Sequence, residues 1–246
     1  MDHEKRTLPN GVRVLVAEMP EARSASITVF VGAGSRMESR VDAGTGHFLE
    51  HIVFKGTAKR PTAAEISQVI ESKGGVVNAA TDKEVTVFWS RVPARHWKVA
   101  LDVVADLIRA PMLRPGDIDN EKHVVIEELR MYRDQPQDRV HTMIDELLYP
   151  KHPLGWEVAG REPVIKSLTA DDIRCQMRLR DHFADGAMHQ QMTIGDVRDL
   201  VTALRLVHIV RGDEDREPIG RERMDLVPEF APRLRVDAGG RLIEQK

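Results

Sequence analysis

The stretch Thr45-Gly46-His47-Phe48-Leu49-Glu50-His51 constrains this chain more than any other. Phe48, Leu49, Ile52, Val53 and Phe54 put apolar groups on every side of a helix, which is the pattern of a buried helix rather than a surface one. The same helix carries two imidazoles and a carboxylate in the order H-x-x-E-H. Residues four apart on a helix lie one turn apart in height and about 40° round, so His47 and His51 can grip one ion. Glu50 falls about 60° from His47 on the neighbouring face, close enough to address a water on that ion without ligating it. Burying such groups among apolar neighbours is costly unless something pairs with them, and a divalent cation does so. The order is the reverse of the commoner zinc-protease signature and supplies the donors that metal-assisted peptide hydrolysis needs. The competing reading is a helix whose histidines are satisfied by hydrogen bonds while Glu50 faces solvent; the apolar neighbours weigh against it.

A catalytic zinc site uses three protein ligands and keeps one position open. The best source of a third ligand is the run 117–132, read as a helix. Ile118, Val125, Leu129 and Tyr132 fall within about 60° of one another and define its inward stripe. Glu121 and Glu128 belong to that side, whereas Glu127 points the opposite way, so periodicity selects Glu128 as the carboxylate that meets a buried ion. Glu121 stands two turns earlier, roughly 10 Å along the axis, and is better placed as an acceptor that orients a ligand imidazole. The competing reading is an ion pair with a core-facing Arg or Lys, which two carboxylates on one apolar stripe disfavour.

His47 to His51, with Glu128 seventy-seven positions after His51 and Glu121 seven before Glu128, resembles the pitrilysin or M16 metallopeptidases. The match is to the branch similar to mitochondrial processing peptidase. It extends over Thr7-Leu8-Pro9-Asn10-Gly11, Gly34-Ser35-Arg36-Met37-Glu38, Phe54-Lys55-Gly56-Thr57, the run 74–86, Glu127 to Tyr132, and His152-Pro153-Leu154-Gly155, in order from about residue 7 to about residue 180. The resemblance implies one Zn2+ per chain held by His47, His51 and Glu128. It implies Glu50 as the general base that activates water and then passes the proton to the leaving amine. It also implies that Asn78 and Ala79 lie on an edge strand that receives the peptide substrate as an added strand. Read without the resemblance, 76–89 is a hairpin in which Asn78 stabilises a turn. Ala80 stands where relatives often carry an aromatic, so side-chain selectivity is expected to differ there. Family enzymes usually continue into a second, homologous half, and no such half is present in this chain. A homo-oligomer or a partner chain supplying that half is therefore expected. The alternative is a non-catalytic scaffold or assembly subunit, or a fragment that needs the partner for activity; the intact motif favours a zinc-dependent endopeptidase.

The remaining pattern predicts an α+β fold, a layered domain with a largely antiparallel sheet and helices packed on it, as in LuxS/processing-peptidase-like enzymes. Strands are expected over 12–19 and 24–31. A capping box at Thr62 and Glu65 starts a helix ending near Gly74-Gly75. Further helices are expected over 96–109, from Pro115 to a break at Gln135-Pro136, over 139–148, over 170–183 and from Asp196 to His208, with a short strand at 191–194. The domain is expected to span 1–209, and 210–246, with its charge run 211–217, to form a linker-like tail. A net charge of −3 with interspersed signs gives no nucleic-acid footprint, and no apolar run is long enough for a membrane. The single cysteine, Cys175, excludes an internal disulfide and is expected to be an inert, half-buried thiol. With no signal peptide ahead of the first strand, these points favour a reducing compartment. A bacterial cytoplasm is the simplest, with a mitochondrial matrix as the alternative.

Overall fold

The computed structural model describes residues 3–184, 204–211, 234–236 and 242–244. Its main sheet has six strands: β1 (His3–Thr7), β2 (Arg13–Glu18), β3 (Ser24–Val31), β4 (Val76–Thr81), β5 (Thr86–Pro93) and β6 (Leu204–Arg211). They lie in the order β1-β2-β6-β3-β5-β4. Every neighbouring pair is antiparallel except β2 with β6, which run parallel. The sheet is thus largely antiparallel, as the pattern predicts. Burial alternates along β3, where Ala25, Ile27, Val29 and Val31 are buried and the residues between them are not. In β5 the residues Thr86, Phe88, Ser90 and Val92 turn inward with the same period of two. β4 is an edge strand, paired through Asn78 opposite Trp89 and Ala79 opposite Phe88.

Helices supply the second layer. α1 (Thr45–Ile52) packs against β4, against α4 (Pro115–Asp134) and against α7 (Ala170–Ala184). Its Phe48 and Ile52 are almost fully buried, each contributing about 1.5–3 kcal/mol by leaving water. The helix is started by a carboxylate from outside it. Glu38, buried, accepts from Gly44 N at 2.7 Å and from Gly46 N at 2.6 Å, satisfying open amides and complementing the positive end of the helix dipole. Gly44 sits at φ 99, and the backbone of Gly160 comes so close to Ala43 and Gly44 that a Cβ at Gly160 would lie 2.2 Å from Ala43 O. A single tight turn, Val53–Lys55, extends α1 and stops at Gly56, whose φ of 153 leaves it beside Pro61.

Thr62 and Glu65 form the expected capping box for α2 (Ala63–Glu71). α3 (Trp97–Arg109) buries Ala100, Val103, Val104 and Leu107 against β3 and β5. The loop between α1 and α2 is tied to α3 by Arg60, which binds Asp102 at 2.5 Å and Asp106 at 2.6 Å, and by buried Thr57, which donates to Asp106. Gln135 closes α4 and caps α5 (Pro136–Leu148), the break that Pro136 predicts. α6 (Glu162–Ser167) completes the helical layer around α4.

Several expectations are corrected. The helix expected to end at His208 is overturned over its last residues, since Leu204–Arg211 is strand β6. The run Leu206-Val207-His208-Ile209-Val210 is rich in β-branched residues, and a place between β2 and β3 outweighs the helical reading. The short strand expected at 191–194 lies outside the described residues. β6 also carries residues 210 and 211 of the expected tail into the sheet. The chain divides into two units, Met1–Asp215 and Arg216–Lys246. The second contains an antiparallel pair, β7 (Leu234–Val236) and β8 (Leu242–Glu244), with Arg235 opposite Ile243. Tyr132, expected on the inward stripe, is 39 % exposed, because the stripe reaches the rim of the domain before α4 ends. Cys175 is exposed rather than half-buried; Ile173 and Gln176 form the inward side of its helix. Among the described residues no helix is long and apolar enough to cross a membrane.

Candidate metal centre

α1 and α4 cross so that three side chains predicted from the sequence meet. His51 Nε2 lies 3.3 Å from His47 Nε2 and 3.2 Å from Glu128 Oε2, and His47 Nε2 lies 3.9 Å from Glu128 Oε1. One ligand atom from each falls within 4.8 Å of the others, the sole such group of His, Cys, Asp and Glu that could hold an ion among the described residues. Bonds of about 2.0–2.1 Å in a tetrahedral arrangement set donor atoms about 3.3 Å apart, so the triangle has the size a zinc ion requires. The two rings meet edge to face, with centroids 4.6 Å apart. Two imidazole lone pairs and a carboxylate at these distances repel unless a proton or cation lies among them. The donor set of two nitrogens and one oxygen suits an imidazole-preferring metal.

On α4 the three glutamates face different ways. Glu127 is exposed and pairs with Arg130, whereas Glu128 faces the histidines and Glu121 is buried at 3 % exposure. Glu121 Oε1 lies 2.9 Å from His51 Nδ1. A carboxylate only accepts, so with Nε2 given to a metal the neutral ring carries its proton on Nδ1 and donates it to Glu121, the shorter of its two carboxylate contacts. Burial opposes charge on His51. The hydrogen bond to Glu121 and the charges of Glu128, Glu121 and Glu50 together outweigh it, so its pKa is raised. His47 behaves oppositely. Burial first, and then the neighbouring His51, push its pKa down, which keeps the ring neutral and able to ligate. Its Nδ1 is buried with no hydrogen-bond partner among the described residues.

Two residues that sequence reasoning assigned no part in the centre complete the surroundings. Lys55 Nζ binds Glu121 Oε2 at 2.6 Å. Together with the His51 hydrogen bond it outweighs burial, and the Glu121 pKa is lowered. Tyr132 donates from its hydroxyl to Glu128 Oε1 at 2.9 Å, and that bond, helped by burial, pushes the phenol up to about 12. The signal for Lys55 was its place four residues after His51, one turn further along the same side; for Tyr132 it was the same spacing from Glu128. Glu50 stands apart from the triangle. Its Oε2 is buried without a hydrogen-bond partner among the described residues, and its charge is felt by His47, His51 and Tyr132.

On β4, Asn78 is exposed, with its Oδ1 accepting from Ala79 N at 2.9 Å, and Ala79 is buried at 8 % exposure in the core that also contains Phe48. The edge strand that carries them lies against the helix that carries His47, Glu50 and His51. Lys83, in the turn after β4, binds Asp145 of α5 and the carbonyl of Leu154.

Comparison with known proteins accords with this geometry. Residues 13–162 match the family described as insulinase, peptidase family M16. The chain belongs to peptidase family M16. Over 174 residues it is 39 % identical to the uncharacterized zinc protease YmxG of Bacillus subtilis, an alignment covering 71 % of this chain and 42 % of that protein. Over 206 residues it is 33 % identical to the probable mitochondrial-processing peptidase subunit beta of Arabidopsis thaliana, covering 80 % of this chain and 38 % of that one. This M16 chain therefore spans about two fifths of the length of the curated relatives it matches. Its fold is that of a protease from Helicobacter pylori, with a TM-score of 0.73 at 24 % identity over 87 % of this chain and 47 % of that one. Pitrilysin shares it with a TM-score of 0.67 at 23 % identity, over 87 % of this chain and 21 % of its own.

Proposed function

We propose that this M16 chain is the catalytic half of a zinc-dependent endopeptidase, with His47, His51 and Glu128 as the zinc ligands and Glu50 as the general base. The observation that carries this reading is the convergence of the two imidazoles and Glu128 on one point, beside a buried carboxylate oxygen that no donor among the described residues satisfies. A bound zinc supplies Lewis acidity and brings the pKa of its water toward neutrality. Glu50 takes the proton of the attacking water and gives it to the leaving amine nitrogen as the peptide bond breaks. Glu121 holds His51 in the tautomer that ligates, and Tyr132 holds the Glu128 carboxylate in place.

The substrate is a peptide that adds to the free edge of β4 at Asn78 and Ala79. Main-chain pairing there gives affinity with little demand on sequence. Exposed Asn78 contributes from that edge, and small, inward-facing Ala79 keeps the strand seated against α1. Activity requires a second half, since the chain spans less than half the length of its curated relatives. A bacterial cytoplasm is the proposed compartment. Elemental analysis of the pure chain should give one zinc per molecule. Hydrolysis of a quenched peptide, alone and with a chain bearing the complementary half, should be abolished by chelator. A chain that binds no zinc at neutral pH would sink the reading. Zinc without turnover, even with the second half present, would favour the scaffold alternative.

A further inference from the structure

Beyond the ligands and base, the structure holds a connected chain of contacts that ends on a surface cation. Lys55 comes from the tight turn after α1, four residues beyond His51, and both reach the same carboxylate on α4. Glu121 is buried at 3 % exposure, while the Lys55 side chain is 35 % exposed. One carboxylate oxygen meets Lys55 Nζ at 2.6 Å and the other meets His51 Nδ1 at 2.9 Å. A carboxylate gripped by one oxygen alone still swings about its terminal bond, a broad and weakly restrained torsion. Gripped by both, its plane is fixed, and so is the direction in which it holds the imidazole.

We propose that Lys55 is a positioning residue for His51, acting through Glu121. Lys55 fixes the Glu121 carboxylate, Glu121 fixes the ring orientation and tautomer of His51, and the ring presents Nε2 to the metal. The zinc consequence rests on the ligand assignment above, whereas the effect on the His51 ring belongs to the metal-free protein as well. Among the described residues the Lys55 ammonium pairs with Glu121 and not with His47 or Glu128, so it reaches the centre through that carboxylate.

The test uses the full chain with Lys55→Met, which keeps the stem and removes the ammonium. In metal-free protein at alkaline pH, where the ring is neutral, imidazole nitrogen chemical shifts should show His51 mainly as the Nδ1–H tautomer, held by Glu121 at 2.9 Å, in the unaltered chain, and shifted toward the Nε2–H tautomer, which faces Glu128 at 3.2 Å, in the variant. Competition against a chromogenic chelator should show zinc affinity weakened about 10-fold or more, the range for losing an outer partner of a metal ligand. Lys55→Arg should restore most of it. In a Glu121→Ala background, Lys55→Met should change nothing further, because the intermediary is already gone. Zinc affinity within about twofold of the unaltered chain, with an unchanged His51 spectrum, would overturn the proposal. So would an additive effect in the Glu121→Ala background. If Lys55→Met does not fold, Lys55→Leu, which likewise removes the donor, replaces it with the same expected outcomes. An unaltered chain that binds no zinc would instead count against the ligand assignment, and the tautomer measurement would still decide the role of Lys55.

Discussion

Replacing Glu50 by Gln separates proton transfer from metal binding. Gln has the shape of Glu and lacks a site for the proton of the attacking water. The His47, His51 and Glu128 triangle does not include residue 50, so zinc affinity should stay within about twofold of the unaltered chain. Loss of a positioned general base lowers rates by about 10²–10⁴, which corresponds to about 2.7–5.4 kcal/mol on the barrier. Stability should move the other way. A buried, unsatisfied polar group costs about 1–3 kcal/mol, more when charged, and Glu50 Oε2 is such a group in the metal-free protein. A neutral amide recovers part of this, about 1 kcal/mol, or a rise of about 2–4 °C in melting temperature for a domain of this size. Elemental analysis, thermal melts followed by circular dichroism without metal, and single-turnover hydrolysis of a quenched peptide read the three quantities. Loss of zinc from the variant would make Glu50 a ligand, and turnover within tenfold of the unaltered chain would remove it as the base; either result refutes the assignment.

Tyr132→Phe should weaken zinc severalfold by releasing Glu128 Oε1, and the phenolate absorbance step near pH 12 should vanish from the spectrophotometric titration. Because the folded pKa of Tyr132 lies above the ordinary value of 10, its stabilising contribution is complete below pH 10 and is lost as pH rises through about 12. Chemical melts across pH 9–12 should therefore converge for the unaltered chain and the variant at the alkaline end. Gly160→Ala forces a Cβ to 2.2 Å from Ala43 O and 2.4 Å from Gly44 Cα, at a φ of 82. It should destabilise the domain by more than about 1 kcal/mol in urea melts and weaken zinc by shifting the start of α1. Phe48→Ala leaves a cavity under the same helix and should cost about 3–5 kcal/mol, measured the same way; a cost under about 1 kcal/mol would mean that α1 is not a core helix.

Local signals announced the elements whose residues must satisfy a local rule. The capping box at Thr62 and Glu65, the break at Gln135 and Pro136, and the alternation through β3 each depend on neighbours within a few positions. The same holds for the candidate centre. Two imidazoles four apart fix one side of α1, and the stripe on α4 separates Glu128 from Glu127, so the triangle could be written down before any contact was known. Lys55 was harder to see because its partner lies 66 positions away on another helix, and a lysine after an apolar run reads equally well as a solvated end. Glu38 was hidden for the same reason, since it caps a helix to which it does not belong. β6 escaped entirely. Leu204, Leu206, Val207 and Val210 satisfy a helical period and a strand alike, and the deciding contribution comes from β2 and β3, nearly two hundred residues earlier.

That late strand carries a consequence for how the chain assembles. Among the described strands β6 alone joins the β1-β2 ribbon to the β3-β5-β4 piece, so until residues 204–211 emerge from the ribosome the nascent protein holds two separate pieces of sheet with raw inner borders. The contacts that join them span most of the polypeptide, a slow kind of closure that leaves unpaired backbone open to self-association in the interval. A version cut just before residue 204 would keep every proposed zinc ligand and still tend to clump.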